Sequence, residues 1–147
     1  MTAVAAEAGV ARATIHNHVR DRAELLAFAS QQVLAEVQQI AARHDGGASA
    51  WLARLADWVA EQPVAAGLRA NDPDRLLEVS GWALTLPDAI ATPAVAGLTA
   101  VGAHADLNVV EVVVRWLASY ALTPGTAAER EAAADILAAA LRLDALL

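Results

Sequence analysis

The feature that most constrains the fold is the segment from Thr2 to Leu26, in which short helical stretches are separated by tight breaks. A helix is predicted from Ala3 to Ala8 with Thr2 as its N-cap. Gly9 follows where the end of a helix favours a left-handed backbone. A second short helix is predicted from Arg12 to Val19, and the D-x-x-E pattern of Asp21 to Glu24 marks the start of a third. This is the layout of a helix-turn-helix.

The two sides of this predicted helix pair differ in chemistry. Ala5 and Ala8 are small enough for two helix backbones to approach closely. Apolar residues occur at spacings that place them on the buried side: Val4, Val10, Ile15 and Val19. The opposite side of the second helix, with its flanks, carries short or donor-rich side chains: Arg12, Ala13, Thr14, His16, Asn17 and His18. Such side chains suit the base edges and phosphates of DNA.

The stretch from Gly9 to Val19, G-V-A-R-A-T-I-H-N-H-V, and the Asp21-Arg22 pair after it resemble the DNA-binding domain of the TetR family of bacterial transcriptional regulators. The resemblance implies a homodimer whose recognition helices enter successive major grooves of a palindromic double-stranded DNA operator. Arg12 is then expected to contact base edges. Residues expected to fix the register on phosphates are Thr14, His16, Asn17, His18 and Arg22, with Thr2 presenting its helix N-terminus to the DNA backbone.

The sequence departs from the family pattern in four places. Ala11 stands where the family has a serine N-cap, a change worth roughly 1 kcal/mol of helix stability. His16 replaces a tyrosine, and Val19 replaces an aromatic residue. The family also has a long amphipathic helix before this motif, and none precedes Thr2 here. The alternative hypothesis is therefore a helical ligand-binding or dimerising protein that has lost DNA binding through N-terminal truncation.

The charge of the chain is distributed unevenly. The net charge is −7, yet residues 1–44 carry four arginines and four acidic residues, whereas residues 45–147 carry six arginines and thirteen acidic residues. An acidic body suits a regulator whose body faces away from DNA. We therefore expect two domains. Residues 1–44 would form the DNA-binding region with its connecting helix, and residues 45–147 a C-terminal regulatory and dimerisation domain.

The rest of the chain predicts only helices, so the expected fold class is all-α, with a helical-bundle body. The predicted helices cover residues 21–43, 48–62, a short stretch before 71–73, 74–86, 89–105, 106–122 and 126–146. The segment 89–105 is expected to break near Pro93. Residues 109–114 are β-branched enough for a strand. A helix is predicted there because Asp106 can cap it and Glu111 and Arg115 form an i,i+4 pair.

Two sets of residues in the body are candidate sites. The tryptophans Trp51, Trp58, Trp82 and Trp116 could line a pocket for a small apolar or aromatic effector, or they could simply fill the core. The last two helices resemble the TetR dimer interface, where the candidate contacts are Val113, Trp116, Ile136, Ala140 and Leu143; the alternative is burial inside the monomer. An effector would change the spacing of the two DNA-binding regions and release the operator, so a ligand-responsive repressor is expected.

Several function classes find no support in the sequence. The chain has no cysteine, which excludes disulfides and thiolate chemistry and fits a cytoplasmic protein. No nucleophile elbow, phosphate-binding glycine loop or H-E-x-x-H motif occurs, so no enzyme is predicted. His16 and His18 point about 200° apart on a helix and cannot chelate one metal together, and no cofactor is predicted. The longest uncharged stretch, 89–105, is broken by Pro93 and two glycines, so no membrane span is expected.

Overall fold

The computed structural model describes residues 5–6, 8–21, 24, 32, 35–40, 42–43, 46–83, 88–103 and 105–143, with the backbone alone at 82–83, 89–90, 93 and 142–143. The chain divides into two compact units, Met1–Glu36 and Val37–Leu147. Val37 and Ile40, which lie in the first of the two predicted domains, pack against the hydrophobic core of the second unit.

Every regular element in the described part of the chain is an α-helix, so the all-α prediction is confirmed. The helices are α1 (Arg12–His18), α2 (Gly47–Glu61), α3 (Pro63–Asn71), α4 (Pro73–Ala83), α5 (Asp88–Ala100), α6 (Leu107–Leu122) and α7 (Ala127–Leu143). None of these helices is both long and apolar enough to cross a membrane.

Local chemistry sets where the helices of the second unit begin. Pro63 and Pro73 each occupy the first position of a helix, where the missing N–H of proline removes no intrahelical bond. The Asp106 carboxylate caps α6 by accepting the Val109 N–H at 2.8 Å, as predicted. Thr126 and Glu129 form a reciprocal capping box at the start of α7, with N-to-O distances of 2.7 and 3.2 Å.

The predicted break near Pro93 is wrong, because α5 runs without interruption from Asp88 to Ala100. A proline in the second turn removes only one bond of the helical ladder, and α5 is held beyond it by the burial of Leu98 in the core. The helix ends instead at Ala100, two residues before Gly102, whose φ is 75°. Two backbone bonds close this end, from Gly102 N to Thr99 O at 3.0 Å and from Ala103 N to Leu98 O at 2.9 Å.

The core of the second unit is built around α2. Its buried face packs against both α6 and α7, and Trp51 and Leu52 are among the most deeply buried side chains. The facing helices contribute three valines, two alanines and a leucine: Val110, Val113 and Val114 from α6, and Ala134, Ala138 and Leu141 from α7. The valine-rich segment is therefore helical, as predicted, because one of its faces fills this core.

Two arginines connect helices that are distant in sequence. The buried Arg130 of α7 donates from Nε to Asp57 Oδ1 of α2 at 2.6 Å, and from Nη1 to the Pro124 carbonyl at 2.8 Å. Arg69 of α3 donates to carbonyls in the last turns of α2 and α6, at Ala60 and Ala121. A cation is favoured at the position of Arg69 because the last carbonyls of a helix carry partial negative charge.

Candidate nucleic-acid interface

A tight glycine turn precedes α1. Gly9 has a φ of 64°, which confirms the predicted left-handed backbone. Its N–H donates to the Ala6 carbonyl at 3.2 Å, and the Val10 N–H donates to the Ala5 carbonyl at 3.0 Å. This pair of bonds closes the end of a helical turn at residues 5–6. No atom lies within 4 Å of a Cβ built at Gly9, so the backbone angle alone requires glycine here.

The α1 helix spans Arg12–His18, one residue shorter at its end than predicted. It ends there because Val19 has an extended backbone, although the Val19 N–H still donates to the Ile15 carbonyl at 3.0 Å. Ala11 is the N-cap and offers no side-chain bond, so the start of α1 depends on backbone bonds such as Thr14 N to Ala11 O at 2.9 Å. The helix contains no acidic residue.

The polar and small side chains of α1 are all exposed: Arg12, Ala13, Thr14, His16, Asn17 and His18. Ile15 is half-buried and Val19 is buried, as predicted. The predicted burial of Val10 is wrong, because it is 40% exposed in the turn after Gly9 instead of lying on a helix face. Ala8 is exposed as well, so Ala5 is the small buried residue of this pair.

His18 makes a contact that restricts its chemistry. Its Nδ1 lies 2.9 Å from the Thr14 carbonyl oxygen, which can only accept a proton, so Nδ1 carries the hydrogen. In a neutral ring, Nε2 is then an acceptor and repels a phosphate oxygen. His18 can therefore donate to a phosphate through Nε2 only as the doubly protonated imidazolium.

The turn after α1 holds an arginine and two carboxylates. Asp21 Oδ1 accepts the Glu24 N–H at 2.8 Å, which confirms the predicted cap. The Glu24 carboxylate does not complete a box with Asp21, and instead accepts the backbone N–H of Arg20. This bond makes the largest contribution to lowering the pKa of the Glu24 carboxyl below its ordinary value, and the bonds from the Arg20 side chain make the next largest. Arg20 is not among the residues predicted from the sequence, although its spacing of four from Glu24 is typical of an ion pair on a helix.

Other predicted DNA contacts cannot be placed. Thr2 and Arg22 lie outside the residues that the structure describes, as does Val4 from the predicted buried side. The described candidates therefore form one continuous exposed set on α1, followed by Arg20.

The predicted effector tryptophans do not share one environment. Trp51 is 1% exposed, and its ring lies against Gly97 of α5, so it fills the core. Trp58 and Trp116 are half-buried. The Trp116 ring meets Tyr120 edge-on, with centroids 5.2 Å apart and planes at 85°. The side chain of Trp82 lies outside the described residues.

The predicted dimer contacts also separate. Val113 is 1% exposed within its own chain, so its side chain is not available to a second copy. Ile136 on α7 is 73% exposed and Ala140 is exposed beside it, whereas Trp116 is half-buried. The side chain of Leu143 is not described.

Comparison with known proteins does not supply a family. A scan of protein-family models, a search of curated proteins and a search of solved structures each found no match to this chain. What supports a function is therefore the geometry of α1 and its flanking turns.

Proposed function

We propose that this protein is a DNA-binding transcriptional regulator and that α1 is its recognition helix. A glycine turn joins a helical turn at residues 5–6 to α1, and a capped turn follows, which is the order of a helix-turn-helix. The observation that carries the proposal is the exposure pattern of α1. Its donor-rich side chains all face solvent, while Ile15 and Val19 turn away from it.

Each exposed residue of α1 has a role in this proposal. Arg12 lies in the first turn, where a recognition helix meets base edges, and its guanidinium can form two parallel bonds with one guanine. The others fix the register on phosphates and sugars: Thr14, His16, Asn17 and His18.

We further propose that the regulator acts as a homodimer and responds to a small molecule. Two α1 helices would then enter major grooves about one DNA turn apart on a palindromic operator. The exposed Ile136 on α7 is flanked by the exposed alanines Ala132, Ala139 and Ala140, which would let a second helix approach closely. A small apolar effector bound by the second unit would release DNA by favouring one spacing of the two α1 helices, as in a repressor.

The second candidate function is a helical dimerising or ligand-binding protein without DNA binding. One observation favours it, because the charge of residues 1–44 is balanced and gives little attraction to phosphates. The exposed Ile136 is compatible with both candidates.

The two candidates are distinguished by fluorescence anisotropy on duplex DNA. The probes are the DNA upstream of the protein's own coding region and a scrambled duplex of the same composition, each at low and at moderate salt. A preference for the upstream duplex that persists as salt rises supports the regulator. Equal binding of both probes, or binding of neither, supports the second candidate.

Arg12→Ala tests whether Arg12 contacts the base edges of the operator. It should cost about 1–3 kcal/mol on the upstream duplex and relax specificity at one operator position. The matched control is Arg75→Ala, which also removes one arginine from an exposed helical site, in an ion pair with Glu78 on α4. It should leave both affinities unchanged. If Arg12→Ala weakens both duplexes equally, Arg12 contacts a phosphate instead of a base.

A further inference from the structure

Glu24 makes three contacts with a single neighbour. Its carboxylate accepts the backbone N–H of Arg20 and also faces the guanidinium, with Nε 3.3 Å from Oε2 and Nη2 3.4 Å from Oε1. The Arg20 side chain is 89% exposed, and that of Glu24 is 38% exposed. An ion pair this exposed adds little stability, so stability alone does not account for it.

The position of Arg20 is what makes the pair relevant to DNA. It follows the last residue of α1 by two positions, so it lies in the turn that leaves the proposed recognition helix. A recognition helix that lies in the major groove brings its flanking turns near the phosphates. Because the backbone N–H of Arg20 is also bound by Glu24, the location of the arginine is fixed while its guanidinium remains in solvent.

We propose that Arg20 is a phosphate-contacting residue and that Glu24 is its positioning residue, a carboxylate that a DNA phosphate replaces at the guanidinium on binding. This inference rests on the proposed function. Carboxylate and phosphate both offer two oxygens to the planar fork of an arginine, so a guanidinium placed for one is placed for the other. The phosphate bonds to the guanidinium replace those of the Glu24 carboxylate, so the number of charge-assisted bonds to Arg20 is unchanged. The bond from the Arg20 backbone N–H to Glu24 stays in place.

The exchange has a measurable consequence for affinity. Because Glu24 competes with phosphate for the same guanidinium, it weakens binding to every duplex, whatever the sequence. Removal of its charge should therefore strengthen binding of both the upstream and the scrambled duplex by about 1.4- to 5-fold, the range of an exposed ion pair. The salt dependence should also become steeper. When the wild type binds DNA, a cation from solution takes the place of Arg20 beside the Glu24 carboxylate, and Glu24→Gln removes this uptake.

The test is a double-mutant cycle with Glu24→Gln, Arg20→Gln and the double variant, each measured by anisotropy on both duplexes across a salt series. Glu24→Gln should tighten binding, whereas Arg20→Gln should weaken it and lower the salt slope by less than about 0.9, because cation uptake at Glu24 offsets part of the release at the phosphate. In the Arg20→Gln background, Glu24→Gln should have no further effect. The matched control is Glu78→Gln, which removes the same charge from the exposed Arg75–Glu78 pair of α4 and should change nothing.

Two results would overturn the proposal. One is an equal gain from Glu24→Gln with and without Arg20, which would mean that Glu24 acts only as an isolated negative charge. The other is an unchanged salt slope in Arg20→Gln. Arg20→Gln keeps the bond from the backbone N–H of residue 20 to Glu24. It therefore tests the role of Arg20 even if circular dichroism shows that Glu24→Gln has lost helix content.

The outcome is distinguishable from failure of the proposed function. If the wild type binds the upstream and the scrambled duplex equally, sequence-specific regulation is refuted, while the cycle on the scrambled duplex still decides the roles of Arg20 and Glu24. If neither duplex is bound by any variant at the lowest salt, both proposals are refuted.

Discussion

Replacement of Gly97 by alanine should destabilise the second unit, although alanine is the better helix former. Gly97 is buried within α5, and an added Cβ would overlap Cζ2 of Trp51 and lie 3.1 Å from both Cε2 and Cη2. The indole cannot move aside, because Trp51 and its neighbours Leu52 and Leu98 are almost completely buried. Overpacking of this kind costs about 1–3 kcal/mol, against a gain of about 1 kcal/mol in helix propensity.

Gly67→Ala is the matched control, because Gly67 lies within α3 and no atom comes within 4 Å of its added Cβ. Both variants gain helix propensity, so the difference between them isolates the steric cost at Trp51. We expect Gly67→Ala to raise the free energy of unfolding and Gly97→Ala to fall about 1–3 kcal/mol below it, measured by urea titration followed by circular dichroism. Equal stabilisation by both would refute the packing of α5 against Trp51.

Two further predictions concern α7. Its first turn holds Glu129, whose pKa is lowered below the ordinary 4.5 by the backbone N–H and then the hydroxyl of Thr126. The pKa of Glu129 is lower in the folded state than in the unfolded state, so its stabilisation is complete above pH 4.5 and is lost as pH falls through the folded pKa. The difference in unfolding free energy between wild type and Glu129→Gln should therefore shrink in acid. A difference that is independent of pH would contradict this. On the exposed face, Ile136→Arg should give monomers in sedimentation equilibrium, whereas Val64→Arg, at a 70% exposed residue of α3, should leave the dimer intact. A wild type that is already monomeric would refute the proposal that α7 forms a dimer interface.

Some of the helix boundaries could be predicted from the sequence because they depend on local hydrogen bonds. Asp106 must accept an N–H of the turn that follows it, and Gly9 must adopt a positive φ, whatever the rest of the chain does. The helix at 107–122 could also be predicted despite its valines, since the Asp106 cap and the Glu111–Arg115 pair are both local.

Features that depend on tertiary packing could not be predicted. No local signal shows that α5 continues past Pro93, because the burial of Leu98 decides it. The same holds for Val113, a candidate dimer contact that is buried in the core of its own chain. The bond from Arg130 to Asp57 joins residues far apart in the sequence, and no spacing rule predicts such a pair.

The balanced charge of residues 1–44 bears on how the proposed regulator would select its operator. Asp21 accepts the Glu24 N–H, and the Glu24 carboxylate is held at Arg20, the cation that would otherwise attract any phosphate. Sequence-independent affinity is then low, because it grows with the number of phosphates neutralised. Discrimination between duplexes depends on the ratio of specific to non-specific binding. An Arg20 paired with Glu24, together with Arg12 on a helix that contains no acidic residue, would therefore favour specificity over affinity.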